Sequence, residues 1–301
     1  MRFKAICLMI CSALAVGQTA QALEICGDLK QGELIIIKDS NAKSVTLYSG
    51  ENIKTLSNPK YTSKNRKDYL VTGDGITLMA LHRDTPLTVT VGAYPLTDAG
   101  TFYELQIEPA QWDIQRINGV KQSKVTPTSK SDLKEIERER RELGRAITHR
   151  KPGEAWRNGF IEPIEGRISG HFGNQRIFNG VPKSPHTGVD IAAPEGTPVK
   201  ASGDGIVILS GKDYFYTGNM VVIDHGQSLQ TIYAHLKEAT VQEGDKVTKG
   251  EIIGYVGKTG RATGPHLHWG ASLNNVRFRP HSLLDINEKS CKTIDGTYMG
   301  E

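Results

Sequence analysis

The 301-residue sequence has no strong excess of either charge: 37 Lys and Arg face 33 Asp and Glu, a formal net of +4. Arg2 and Lys4 supply two of those positive charges, and without them the balance is 35 against 33, or +2. A whole-chain basic field for nucleic acid is thereby excluded. Long apolar runs are missing beyond the N-terminus. No segment there reaches the ~18 uninterrupted apolar residues of a spanning helix, so no stable membrane span is expected once a leader is removed. Cysteine is scarce, with four in all, and only Cys26 and Cys291 lie beyond residue 22. The composition of a disordered chain is absent too, since 38% of residues are apolar and 23% charged. Glycine is plentiful instead, 32 against 13 prolines, without a collagen period. That combination points to a turn-rich β protein, and the length suits two domains.

The first 22 residues read as an export signal. Arg2 and Lys4 form a positive start, Ala5 to Val16 an apolar stretch, and Ala20-Gln21-Ala22 a small-x-small cleavage site. A lipid-attachment signal does not fit, because Cys26 follows Glu24-Ile25 and Cys11 follows Ile10, where small residues belong. Export predicts a protein outside the cytoplasm, periplasmic if the cell is Gram-negative and otherwise secreted or held at the cell wall. Two cysteines in an exported chain invite a disulfide. A Cys26–Cys291 bridge would tie the start of the first domain to the tail of the last; two separate thiols are the other reading.

Residues 23–116 read as a small antiparallel β domain, with β-prone runs at Leu34–Ile37, Val45–Tyr48, Leu87–Val91 and Tyr103–Ile107. Residues 117–159 read as a linker with a helix, on which Leu133, Ile136, Leu143 and Ile147 recur at helical spacing and Glu137 stands four before Arg141. Its basic excess is read as a solvated helix face in preference to a contact with an anionic polymer. Glycine-punctuated β patterning resumes over residues 160–285, and 286–301 form a tail. The fold class expected is mainly β.

Four histidines and one aspartate recur in order. His186-Thr187-Gly188-Val189-Asp190 comes first, then Tyr233-Ala234-His235-Leu236, then Gly264-Pro265-His266-Leu267-His268. His266 and His268, two apart in an expected strand, project from one face. Pro185 and Gly188 argue against a helix for His186 and Asp190, which are placed on a loop entering a strand. Period-two alternation groups Thr231, Tyr233 and His235 on one face and Ile232, Ala234 and Leu236 on an apolar one. Two imidazoles and a carboxylate suit Zn²⁺, and three protein ligands leave a fourth position for a water whose pKa falls to ~7. Two further histidines could orient that water, shuttle its proton and stabilise the oxyanion. Two decoys fail. Gly257-Lys258-Thr259 lacks the first glycine of a phosphate loop, because Ile252 stands there. The Gly244–Gly254 stretch has no modified-lysine turn.

These motifs closely resemble the lysostaphin/LytM-type zinc endopeptidases that cut peptidoglycan cross-bridges. The flanks match as well: Phe172-Gly173, Asp190 through Val199, and Thr259 through Gly264. The resemblance covers residues 160–285 and implies an antiparallel β-sheet groove of that type. It implies His186, Asp190 and His268 as ligands of one Zn²⁺, and His235 and His266 as the catalytic histidines. It also implies peptidoglycan peptide stems as substrate and, for a Gram-negative member, D-alanyl–diaminopimelate bonds. Members that have lost ligands serve as non-catalytic peptidoglycan-binding or amidase-activating modules; here all five positions are intact. Related enzymes often carry an N-terminal part that occludes the zinc, so residues 23 to about 150 are expected either to gate the groove or to serve as a binding or spacer part. Arg176 is read as contacting the site or a substrate carboxylate, or as forming a structural ion pair. Tyr233 is read as groove wall or cross-strand packing, and His225 as structural.

Overall fold

The computed structural model describes residues 22–39, 41–49, 66–95, 100–148 and 153–298. The expected signal peptide lies outside them except for Ala22. The first part of the chain forms β1 (Ala22–Cys26), β2 (Leu34–Lys38), β3 (Ser44–Ser49), β4 (Arg66–Tyr69), β5 (Ile76–Ala80), β6 (Thr88–Tyr94) and β7 (Thr101–Gln106). They make two antiparallel sheets, one containing β1-β2-β5 and the other β7-β6-β3-β4.

The connecting segment holds β8 (Ile114–Ile117), the short helix α1 (Gln122–Val125) and the longer α2 (Lys130–Thr148). Ile147 and Leu143 dock α2 on an apolar cluster with Ile208, Met220, Val222 and Ile232, whereas Leu133 at its other end is exposed. Arg141 bonds Glu137 on the solvated face at 3.2 Å, a contact worth a few tenths of a kcal/mol. The buried Glu139 accepts the backbone N–H of Phe215 with both oxygens, at 3.0 and 2.9 Å. The helix thereby fixes the loop that carries Tyr216 and Thr217.

The last part contributes β9 (Arg167–Gly170), β10 (Gln175–Phe178), β11 (Val181–Pro182), β12 (Gly188–Ala192), β13 (Pro198–Lys200), β14 (Gly205–Tyr214), β15 (Gly218–Asp224), β16 (Leu229–Ala239), β17 (Lys246–Val247), β18 (Ile252–Val256), β19 (His266–Leu273) and β20 (Val276–Phe278). Its main sheet runs β17-β14-β15-β16-β19-β12-β9. A small sheet, β11-β10-β8, takes the linker strand β8 parallel to β10. The tail then returns to the first domain: β21 (Cys291–Asp295) pairs with β1, and β22 (Thr297–Tyr298) pairs with β7. Cys26 and Cys291 stand directly opposite in that pairing and are bonded as a disulfide.

Leu34 to Ile37 are all buried because both faces of β2 are covered. The cluster they join contains Val45, Val91 and Leu105 of the neighbouring sheet, and also Leu229, Leu273, Phe278 and Leu283 of the C-terminal domain. The N-terminal sheets and the C-terminal part therefore share one core. Its seam includes a buried bond from the Leu34 backbone N–H to Ser282 Oγ at 2.8 Å.

Register assigns the two faces of the main sheet. Val189, Trp269, Tyr233 and Val221 stand in one row across β12, β19, β16 and β15, and all four join the inner apolar cluster. Asp190, His268 and Ala234 stand in the adjacent row and project from the opposite face.

Candidate metal centre

His186 lies just before β12, and Asp190 lies within it. His268 is its cross-strand partner on β19, and His266, two residues earlier, projects from the same face. The period-two grouping of Tyr233 with His235 does not hold. Tyr233 and Leu236, three apart, both enter the inner cluster, while Ile232 and Ala234 pack on the other side under α2. The strand bulges here: Asn219 pairs with Leu236 but Val221 with Tyr233, leaving one extra residue in β16. His235 occupies the left-handed region at φ 62°, which histidine enters more readily than most residues. That kink brings its ring to the face of His266 and His268, with centroid separations of 4.7 and 6.1 Å. Tyr233 is core; its hydroxyl accepts the Ser202 backbone N–H at 2.8 Å.

Three donor atoms converge. His186 Nε2 is 2.9 Å from His268 Nδ1 and 3.0 Å from Asp190 Oδ1, and His268 Nδ1 is 3.0 Å from the same oxygen. His186 Nδ1–H donates to the His171 carbonyl at 3.0 Å, which leaves Nε2 as the lone-pair nitrogen. A lone pair, a second imidazole and a carboxylate oxygen at one point are the donor set of a Zn²⁺ site, and the residues fit that ion. Burial pushes His186 down to about 4, against the pull of Asp190, and lowers His268 as well. Burial alone would raise Asp190, but hydrogen bonds and charge from His186 and His268 draw it well below the usual carboxylate range. All three groups are thus biased to the protonation state a metal requires.

The other two histidines carry the same kind of anchor. His235 Nδ1–H donates to the Thr259 carbonyl and His266 Nδ1–H to the Gly264 carbonyl, both at 2.8 Å. Each Nε2 is left free, and that of His266 is 3.8 Å from Asp190 Oδ1. Burial, helped by the like charges of His266 and His268, pushes His235 down to about 3, so it is neutral at ordinary pH.

Two glycines make room for this arrangement. A Cβ at Gly188 would meet Trp269 O at 2.4 Å and His268 Nε2 at 2.8 Å. A Cβ at Gly170 would meet Asp190 Oδ2 at 2.7 Å and Arg176 Nη2 at 2.9 Å. Arg176 is ion-paired with Asp190 Oδ2, the carboxylate oxygen turned away from the histidines. Gln115, on the linker strand β8, accepts from Arg176 Nε at 3.0 Å and donates to the Ser169 carbonyl at 2.9 Å. Nothing in the sequence marks Gln115, whose place depends on the parallel β8–β10 pairing. His225 stands apart from the site. It is fully buried between the Asp204 carbonyl and the Thr231 hydroxyl, at 2.6 and 2.7 Å.

Comparison with known proteins adds to this geometry. The family model for peptidase family M23 matches residues 184–280. The chain is 41% identical over 136 residues to the peptidoglycan DD-endopeptidase ShyA of Vibrio cholerae, a match spanning 45% of this chain and 31% of that protein. It is 46% identical over 129 residues to the DD-carboxypeptidase/endopeptidase Mpg of Neisseria meningitidis, spanning 42% and 30%. The chain thus covers about a third of the length of these curated relatives. A Pseudomonas aeruginosa crystal structure assigned to peptidase M23 superposes with a TM-score of 0.63 at 28% identity, covering 86% of this chain and 96% of that one. That likeness extends beyond the residues that the family model matches.

Proposed function

Because the chain belongs to peptidase family M23 through its C-terminal domain, we propose that it is a zinc-dependent endopeptidase that hydrolyses peptide cross-links of peptidoglycan, at D-alanyl–diaminopimelate bonds. The observation that carries this reading is the meeting of His186, Asp190 and His268 within 3.0 Å, with two more histidines beside them. Those three side chains would hold the ion, which when bound supplies Lewis acidity toward a carbonyl and toward water.

The remaining chemistry belongs to the chain. His235, neutral and fixed through Nδ1, offers Nε2 as a proton acceptor for the attacking water. His266, fixed in the same way, offers a second Nε2 that can carry a proton to the departing amine. The backbone carbonyls of Thr259 and Gly264 set both tautomers. We place the protein outside the cytoplasm, a location that the Cys26–Cys291 bridge supports.

The test is digestion of cross-linked peptidoglycan by the zinc-loaded protein, followed by mass spectrometry of the muropeptides, with His186→Ala as control. Loss of cross-linked dimers with the native protein alone is expected. Products of amidase or glycosidase cleavage only would overturn the assignment. Intact dimers from both proteins would point to an occluded groove or to a non-catalytic module that binds the wall or activates an amidase.

A further inference from the structure

Beside the histidines lies a cavity of about 370 Å³. Three cations line it, Arg176, Lys183 and Arg261, and among its described lining residues there is no aspartate or glutamate. The whole chain is nearly balanced in charge, 37 against 33, so this wall is a local arrangement. Arg176 is matched by Asp190. No carboxylate among the described residues lies within ion-pair distance of Arg261.

Arg261 is nevertheless held in place. Its guanidinium lies over Phe178 and Tyr216, 4.4 and 4.5 Å from the two ring centroids, and its backbone N–H donates to the Tyr216 carbonyl at 2.9 Å. Burial and the like charge of Arg176 both oppose its positive charge. A guanidinium does not escape that cost by losing its proton, so the charge stays and awaits a counter-ion. The same side chain borders a second, smaller cavity with His235, His266 and Asp190. It therefore stands at the junction of the two spaces that flank the reacting centre.

We propose that Arg261 determines specificity by binding a free carboxylate of the substrate adjacent to the scissile amide, with Lys183 adding positive potential from across the cavity. This rests on the endopeptidase reading above and narrows it to cross-links whose joined residue keeps its acid. A planar fork of donors, oriented by two rings, is suited to a bidentate grip on such a group.

Two probe pairs test this with the zinc-loaded full chain. One is a cleavable D-alanyl–meso-diaminopimelate peptide, with the carboxylate next to the scissile nitrogen either free or converted to the carboxamide. The other is meso-diaminopimelate and its diamide, which cannot be cleaved, followed by ligand-observed NMR. The acid is expected to exceed the amide by about 10- to 100-fold in kcat/KM and to bind more tightly in the uncleavable pair. Arg261→Gln should remove the difference in both, and Arg261→Lys should retain part of it. Equal treatment of acid and amide by the native protein in the binding assay would overturn the proposal. Should neither peptide be cleaved while Arg261-dependent preference for the diacid persists, the endopeptidase reading fails and the carboxylate site stands.

Discussion

Reducing the Cys26–Cys291 bridge tests whether the two domains act as one cooperative unit. The bridge closes a loop of 265 residues. Loop-closure entropy for that length corresponds to about 5–6 kcal/mol of constraint on the unfolded chain at 25 °C. The native contacts left behind are substantial, since β21 pairs with β1 over five residue positions, so the folded state should survive reduction. With an unfolding entropy of about 2 cal/mol/K per residue, the expected fall in Tm is roughly 9 °C. Cys291 is exposed and Cys26 buried, so a reductant has access to one sulfur. The assay is calorimetry of the protein with and without reductant, with the Cys26→Ser, Cys291→Ser pair as the permanent form. Because Leu34, Ile36 and Leu78 share a cluster with Leu273 and Phe278, a single transition is expected that moves as a whole. A fall of less than about 2 °C would refute the entropic argument. Two separated transitions, only one of them sensitive to reductant, would refute the shared core.

Two further outcomes follow from the site and its surroundings. His225 is pushed down to about 4 by burial, against the raising influence of Asp204, and it also packs on the Phe160 ring. The unfolded state takes up its proton first as pH falls below about 6.5, so stability is lost from there down toward 4; between pH 7 and 4.5 the loss is about 2–3 kcal/mol. Urea unfolding of the native protein and His225→Gln should show the variant flatter across that window, and parallel curves would reject the cause. Gly188→Ala should displace His268, whose ring leaves no room for a Cβ. Zinc affinity measured against a chelator should then fall by about 10- to 100-fold, and unchanged affinity would mean the backbone yields instead.

The meeting of His186, Asp190 and His268 was legible because these residues are ordered in short motifs. His266 and His268 share a face simply by being two apart in β19, and Gly188 and Pro185 announce that His186 enters from a loop. The apolar runs of the first domain were readable as strands for the same reason, since their signal is local. His235 was not placed correctly by alternation, because a bulge is a mismatch between two strands and β16 alone does not reveal it. Tyr233, read as groove wall or cross-strand packing, is in the core, paired in regular register with Val221 and Trp269. The return of the tail to β1 and β7 joins residues more than 190 apart, and no neighbouring residues encode such a pairing. Arg261 sat inside a matched flank but carried no charge pattern of its own. Its meaning depends on Phe178 and Tyr216, which strand β10 and the turn between β14 and β15 deliver.

The expectation that the N-terminal part gates the groove takes a narrower form in the structure. None of the described residues of β1 to β7 lines either cavity beside the histidines; from outside the C-terminal domain, Gln115 and Ile117 of β8 do so. A gate would therefore be the linker strand. Deleting everything before residue 151 is a poor test of it. The deletion would also strip the partners of Leu229, Leu273 and Phe278 and expose apolar surface. Gln115→Ala is cleaner, because it removes one bond to Ser169 and one to Arg176 while leaving the Arg176–Asp190 pair. The neutral bond to Ser169 contributes about 1 kcal/mol and the bond from the charged Arg176 about 2 kcal/mol, so a gate held shut by them should open by no more than about 150-fold. The expected result is a several-fold rise in kcat/KM on cross-linked peptide, carried by KM, with zinc content unchanged. A rate equal to that of the native protein would mean that β8 is a fixed wall of the groove. Its role would then be to orient Arg176 against Asp190, and the first domain would matter to catalysis only through the core it shares.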